Sequence, residues 1–87
     1  MNIQSIDESN PKIKRLRWQC RRGMLEVDLC LMRYLEREYI NATPETQALF
    51  EVLLAEPDPV LLAWFTGQTV PKEPAIAQLV LRIRNKP

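Results

Sequence analysis

Histidine is absent from the chain, and glycine and cysteine occur only twice each. The first absence removes the Ser-His and Cys-His arrangements of nucleophilic catalysis, together with the commonest general base. The two cysteines, Cys20 and Cys30, make no CxxC pair and fall short of a structural zinc site, so no metal is expected. With glycine only at positions 23 and 67, the chain has no glycine-rich loop to cradle phosphate. Serine is confined to positions 5 and 9, near the N-terminus. The longest apolar run, Val60 to Phe65, is far shorter than the ~20 residues of a membrane span. The opening MNIQSIDESN has neither the basic region nor the apolar core of a signal peptide. A cytoplasmic protein without membrane insertion is expected, its two thiols reduced and at least partly buried.

What is present suits a small binding protein better than an enzyme. The 87 residues make one domain, 46% hydrophobic and 26% charged, which is a globular composition. Its acids are scattered, and most suit first turns of helices or i,i+4 partners, so no catalytic residues are assigned.

Proline divides the chain into five short helices. Asn10-Pro11 and Thr43-Pro44 each put a capping residue before a proline at the first helical position. Asp58-Pro59 reads the same way. The spacing predicts helices over residues 11–20 and 23–40, from 44 to about 55, from 58 to a stop at Gly67, and over 75–84. Val27, Leu31 and Leu35 recur at i, i+4 and i+8, and Leu25, Met32 and Tyr39 widen that apolar sector, which makes the second helix central. Ile13, Leu16 and Cys20 define the inner face of the first helix, and Ile76, Leu79, Val80 and Ile83 that of the last. The fold expected is all-α, a compact single-domain bundle of five helices over residues 11–87, preceded by a flexible segment at 1–10.

Charge is uneven. Net charge is only +1, yet Lys12, Lys14, Arg15, Arg17, Arg21 and Arg22, half of the twelve cations, lie within residues 12–22 with no acid among them. A solvated basic helix face and a nucleic-acid-binding face both fit that cluster. Near-neutral net charge and the lack of polar base-reading residues along the basic helix weigh against nucleic acid.

The stretch CRRGMLEVD, residues 20–28, breaks local rules. Cations at a helix start oppose the helix dipole, and glycine is a poor helix former. Arg22 and Glu26 are i,i+4, but with the cation first, the weaker order. On a purely structural reading Gly23 makes the turn that joins the first two helices and Glu26 meets free N–H groups of a first turn. On a functional one Gly23 offers a patch without a side chain, where another backbone can approach closely. Arg22 offers a planar fork and Glu26 a fixed acceptor, together a recognition epitope. Trp18 and Trp64 read as core at helical spacing, with exposed anchors as the alternative, and Met24 reads as core packing or as an enlargement of the epitope. Asp28, on the apolar side, either caps something internal or meets a partner.

The segment RLRWQCRRGMLEVDLCLMRYLEREY resembles the small assembly factors that promote flavinylation of succinate dehydrogenase. Arg22-Gly23-Met24-Leu25-Glu26 is similar to the arginine-glycine-x-x-glutamate hallmark of that family, and Trp18, Cys20, Arg21, Met24 and Asp28 to its extended motif. LLAEPDPVLLAWFTG resembles its second region through Asp58 and Trp64, with Pro57 standing where many relatives have another acid. The likeness covers residues 12–84. It implies a five-helix chaperone with no cofactor of its own, acting on FAD held by a client. The implied client is the flavoprotein subunit of succinate dehydrogenase, or of fumarate reductase. There FAD is joined through its 8-methyl carbon to a client histidine. The resemblance adds Trp18, Arg21, Met24 and Asp28 to Arg22, Gly23 and Glu26 as partner-binding residues. Some members of the family carry an antitoxin label, which leaves a regulatory role as the alternative beside nucleic-acid binding.

Overall fold

Five α-helices and one 3₁₀ turn follow one another in the computed structural model, which describes residues 10–85. The segment expected to be flexible therefore lies, apart from Asn10, outside the described residues. Helix α1 spans Pro11–Gln19, α2 Leu25–Arg37, α3 Pro44–Leu54, α4 Asp58–Phe65 and α5 Pro74–Asn85, with the 3₁₀ turn at Tyr39–Asn41. No strand occurs among the described residues.

Two of the three proline-led starts are capped as their sequences imply. Asn10 Oδ1 accepts from the backbone N–H of Lys12 at 2.9 Å, and Thr43 Oγ1 from that of Thr46 at 3.1 Å. The third differs. Pro57 occupies the cap position of α4, and no side chain caps it. Asp58 opens the helix but turns its carboxylate to a guanidinium from another part of the chain. At the far end, Gly67 at φ +81° lets its N–H reach the Trp64 carbonyl while Gln68 N–H reaches that of Ala63. This Schellman turn ends α4 where expected.

The second helix is shorter at both ends than its periodicity suggests. Gly23 has φ +80°, outside helical space, and α2 starts two residues later. At the other end the chain tightens into the 3₁₀ turn because Tyr39 is drawn inward. Its ring lies 5.6 Å from that of Phe50, and its hydroxyl donates to Glu51 at 2.7 Å.

Helix α2 packs against α1, α4 and α5, and α3 packs against α5. Val27, Leu31, Leu35, Phe50, Leu53, Leu54, Leu61 and Ile83 are fully buried at the centre. Each such side chain contributes about 1.5–3 kcal/mol relative to exposure. The inner faces expected of α1 and α5 are the buried ones, Cys20 included. Leu25 is an exception. Read as part of the apolar sector of α2, it is 74% exposed. Trp18, read as core, is 70% exposed, because it stands 200° around α1 from the inward Leu16. Trp64 packs partly buried against the core. Cys20 and Cys30 are free thiols, the first buried and the second half-buried.

Candidate functional site

The loop of residues 20–24 joins α1 to α2, and its shape is set from inside the molecule. Asp28, one turn into α2, aims its carboxylate back at three successive backbone N–H groups. Oδ1 accepts from Arg22 at 2.9 Å and from Met24 at 3.4 Å, and Oδ2 accepts from Gly23 at 3.1 Å. A carboxylate here satisfies free donors at the positive end of the helix. The start that looked poorly capped is thus capped by Asp28, the internal one of its two readings.

Arg22 is held still more completely. Its Nε donates to the Gln19 carbonyl at 2.7 Å, and its Nη1 to the Glu56 carbonyl at 3.0 Å and Asp58 Oδ1 at 2.9 Å. Nη2 donates to the Leu54 carbonyl. The three carbonyls lie at the C-terminal ends of α1 and α3, where a cation complements the helix dipoles. With its side chain only 15% exposed, Arg22 presents no open fork to solvent. The fork expected to await a partner is filled by the protein itself. Nor is Arg22 helical, so the i,i+4 geometry toward Glu26 does not arise.

Outside this frame the surface is open. A Cβ at Gly23 would meet no atom within 4 Å, so the glycine faces free space as well as holding a left-handed φ. Glu26 is exposed and has no hydrogen bond or ion pair among the described residues. Met24 is half-buried against the core, in keeping with its reading as core packing. Beyond the loop, the Arg21 guanidinium lies 5.8 Å from the centroid of the exposed Trp18 ring, a cation–π arrangement.

Seven residues were singled out in the sequence, and the tertiary structure sorts them into three roles. Arg22 and Asp28 face inward and build the loop. Gly23, Glu26, Arg21 and Trp18 face outward, and Met24 bridges the two. The carbonyls of Leu54 and Glu56 and the Asp58 carboxylate complete the frame, 32–36 residues away from Arg22 in the chain. The sequence marks Asp58 as a cap and through its family resemblance, and the Pro57-Asp58-Pro59 break marks a sharp turn, but neither names Arg22 as the partner.

Burial pushes the Cys20 thiol up to about 12, outweighing the opposing effects of Arg22 and Arg17, so it stays protonated. Among the described residues no group of three or more Cys, Asp or Glu is placed to hold a metal ion.

A family described as flavinator of succinate dehydrogenase (Sdh5) matches residues 14–87. The chain belongs to this family. Among the chain's relatives, the FAD assembly factor SdhE of Shewanella oneidensis is 40% identical over 74 residues, covering 85% of this chain and 90% of that protein. The SdhE of Coxiella burnetii is 37% identical over 71 residues, 82% of this chain and 87% of its own. That of Legionella pneumophila strain Paris is 41% identical over 76 residues, 87% and 95% respectively. The family match takes in the Trp18–Asp28 loop region and the α3–α4 turn that anchors Arg22.

Proposed function

We propose that this member of the flavinator family is an assembly factor for the flavoprotein subunit of succinate dehydrogenase, and that the client docks on the face around Gly23. One observation carries the location: a glycine at φ +80° open to solvent, beside Glu26, which has no partner among the described residues, on a loop braced by Arg22 and Asp28. Such a loop presents its backbone already ordered, so little entropy is lost on docking. Arg21 and Trp18 extend the contact surface. Arg22, Asp28 and Met24 support it from behind.

The factor promotes covalent attachment of FAD without being an enzyme or holding a cofactor. Lacking histidine, it supplies no attachment residue. FAD and its acceptor histidine belong to the client, and the factor favours the client conformation that aligns them. Alignment of reacting groups is worth up to about 7–11 kcal/mol of barrier. Fumarate reductase, whose flavoprotein poses the same task, is a second client. No helix among the described residues is long and apolar enough to cross a membrane, and the encounter is assigned to the cytoplasm. Nucleic-acid binding is not favoured, since Lys12, Arg17 and Arg22 are each ion-paired within the chain.

The test compares covalent flavin on the client subunit in the presence of wild-type protein, Gly23→Arg and Glu26→Ala. Both variants should fold, and Gly23→Arg should reduce flavinylation to the level without factor. Full flavinylation with both folded variants refutes the docking surface. No stimulation by the wild-type protein refutes the function itself.

A further inference from the structure

The cation cluster of residues 12–22 divides into spent and available charge. Lys12 Nζ lies 3.0 Å from Glu51, Arg17 Nη1 2.9 Å from Glu36, and Arg22 Nη1 2.9 Å from Asp58. Lys14, Arg15 and Arg21 have no carboxylate partner among the described residues. Lys14 and Arg21 do not stand apart. With Arg17 and the Trp18 ring they line one groove of ≈ 160 Å³.

Trp18 is the least expected wall of that groove. An indole 70% exposed on a domain of this size forgoes the burial a tryptophan ordinarily finds. Arg21 lies over its ring and keeps a guanidinium at the rim of the same groove. An exposed tryptophan beside arginine is the composition of an interface anchor.

We propose that this groove is a second contact of the docking surface and takes an acidic segment of the flavoprotein client. A client carboxylate meets Lys14 and Arg21, and a neighbouring apolar side chain lies on the Trp18 ring. The inference rests on the assembly-factor reading and adds to it the chemistry of one partner segment. Charge decides between protein and nucleic acid. Glu36, half-exposed beside Arg17, limits the negative charge the groove accepts, so a segment with one or two carboxylates fits where a run of phosphates does not. The groove itself offers two unpaired cations around one ring, and the third unpaired cation of the cluster, Arg15, does not line it. A short acidic and apolar peptide segment matches that pattern.

The two contacts have separable kinetic signatures. Unpaired surface cations steer encounter, so their reversal acts on the association rate and fades with salt. A central aromatic anchor acts on the dissociation rate. The experiment measures association and dissociation of the apo flavoprotein subunit of succinate dehydrogenase with wild-type protein, with the Lys14→Glu/Arg21→Glu double variant, and with Trp18→Ser. Covalent flavin formation by the wild-type protein is followed in parallel. All three substitutions are on exposed side chains, and unchanged circular dichroism and melting temperature verify the fold. A Trp64→Phe background, in which Trp18 is the remaining tryptophan, reports the groove directly by its emission.

The expected result is an association rate at least tenfold lower for the charge-reversed protein at 50 mM salt, with the gap closing at 500 mM. Trp18→Ser should dissociate roughly ten- to thirtyfold faster, and Trp18 emission should shift on complex formation. If the wild-type protein supports flavinylation but the double variant associates at the wild-type rate at both salt concentrations, the groove proposal fails alone. If the wild-type protein neither binds nor stimulates the client, the functional reading fails and takes the groove with it. Tight binding of nonspecific duplex DNA, abolished by the same charge reversal while client association is unaffected, would overturn the proposal and assign the groove to nucleic acid.

Discussion

Replacing Arg22 with alanine should destabilise the domain far more than an ordinary surface arginine does. The substitution removes four hydrogen bonds at once and leaves the Leu54 and Glu56 carbonyls facing the space the guanidinium filled. The ion pair with Asp58 contributes least, because that carboxylate is half-exposed and solvent screens it. The carbonyls dominate. Hydrogen bonds to a charged donor contribute about 1.5–3 kcal/mol each, and stripping one partner from a largely buried set costs about 3–5 kcal/mol in all. Small domains have roughly 5–15 kcal/mol to lose, so Arg22→Ala should consume a large share of the total. At about 4–8 °C per kcal/mol, the melting temperature should fall by roughly 12–40 °C. Arg22→Lys should fall between the two, since an ammonium keeps the charge but cannot span carbonyls from two helix ends. Urea denaturation checks the values, with unchanged slope showing that the folded state has not simply loosened. A double-mutant cycle with Asp58→Ala separates the minor pair from the major carbonyl contacts. A loss below about 1 kcal/mol for Arg22→Ala would refute the bracing role and return Arg22 to the surface.

Asp28→Ala should cost about 1–2 kcal/mol, as loss of a good helix cap does, and should speed amide exchange at Arg22, Gly23 and Met24 specifically. A thiol reagent at pH 8 should label Cys30 well before Cys20, whose thiol burial holds protonated to about 12; equal rates in the folded protein would contradict that burial. The Glu51 carboxyl is held below its ordinary range by the Tyr39 hydroxyl first and Lys12 second. Its stabilising contribution should therefore be complete above the usual carboxylate pKa and fade as pH falls through the lowered folded value. Comparison with Glu51→Gln across pH 2–6 by thermal melting should show the two curves converging at the acid end; a constant gap would contradict it.

Helix number and order were legible in the chain because prolines mark the boundaries and each helix carries its own apolar period. Ile76, Leu79, Val80 and Ile83 form the inner face of α5 just as their spacing implies, and Gly67 ends α4. The errors have local causes. Leu25 and Trp18 are apolar residues on outward faces, where hydrophobicity alone misleads and helical angle decides. Asp58 looked like a cap because an acid before proline usually is one. A guanidinium drawn from 36 residues away claimed its carboxylate instead.

The loop around Gly23 divides the credit in the same way. Sequence alone determined that residues 20–28 begin a helix badly, that glycine stands where a side chain would be expected, and that no histidine is available for chemistry. Those are properties of residue type and neighbours, which a linear chain displays in full. Only the tertiary structure decided which way each side chain faces: Arg22 inward to the ends of α1 and α3, Asp28 back onto three amides, Glu26 and Gly23 out to solvent. The physical reason is that orphaned carbonyls at helix ends are strong acceptors whose positions exist only after the helices have packed. The arginine goes to them because its five donors find better partners there than in water.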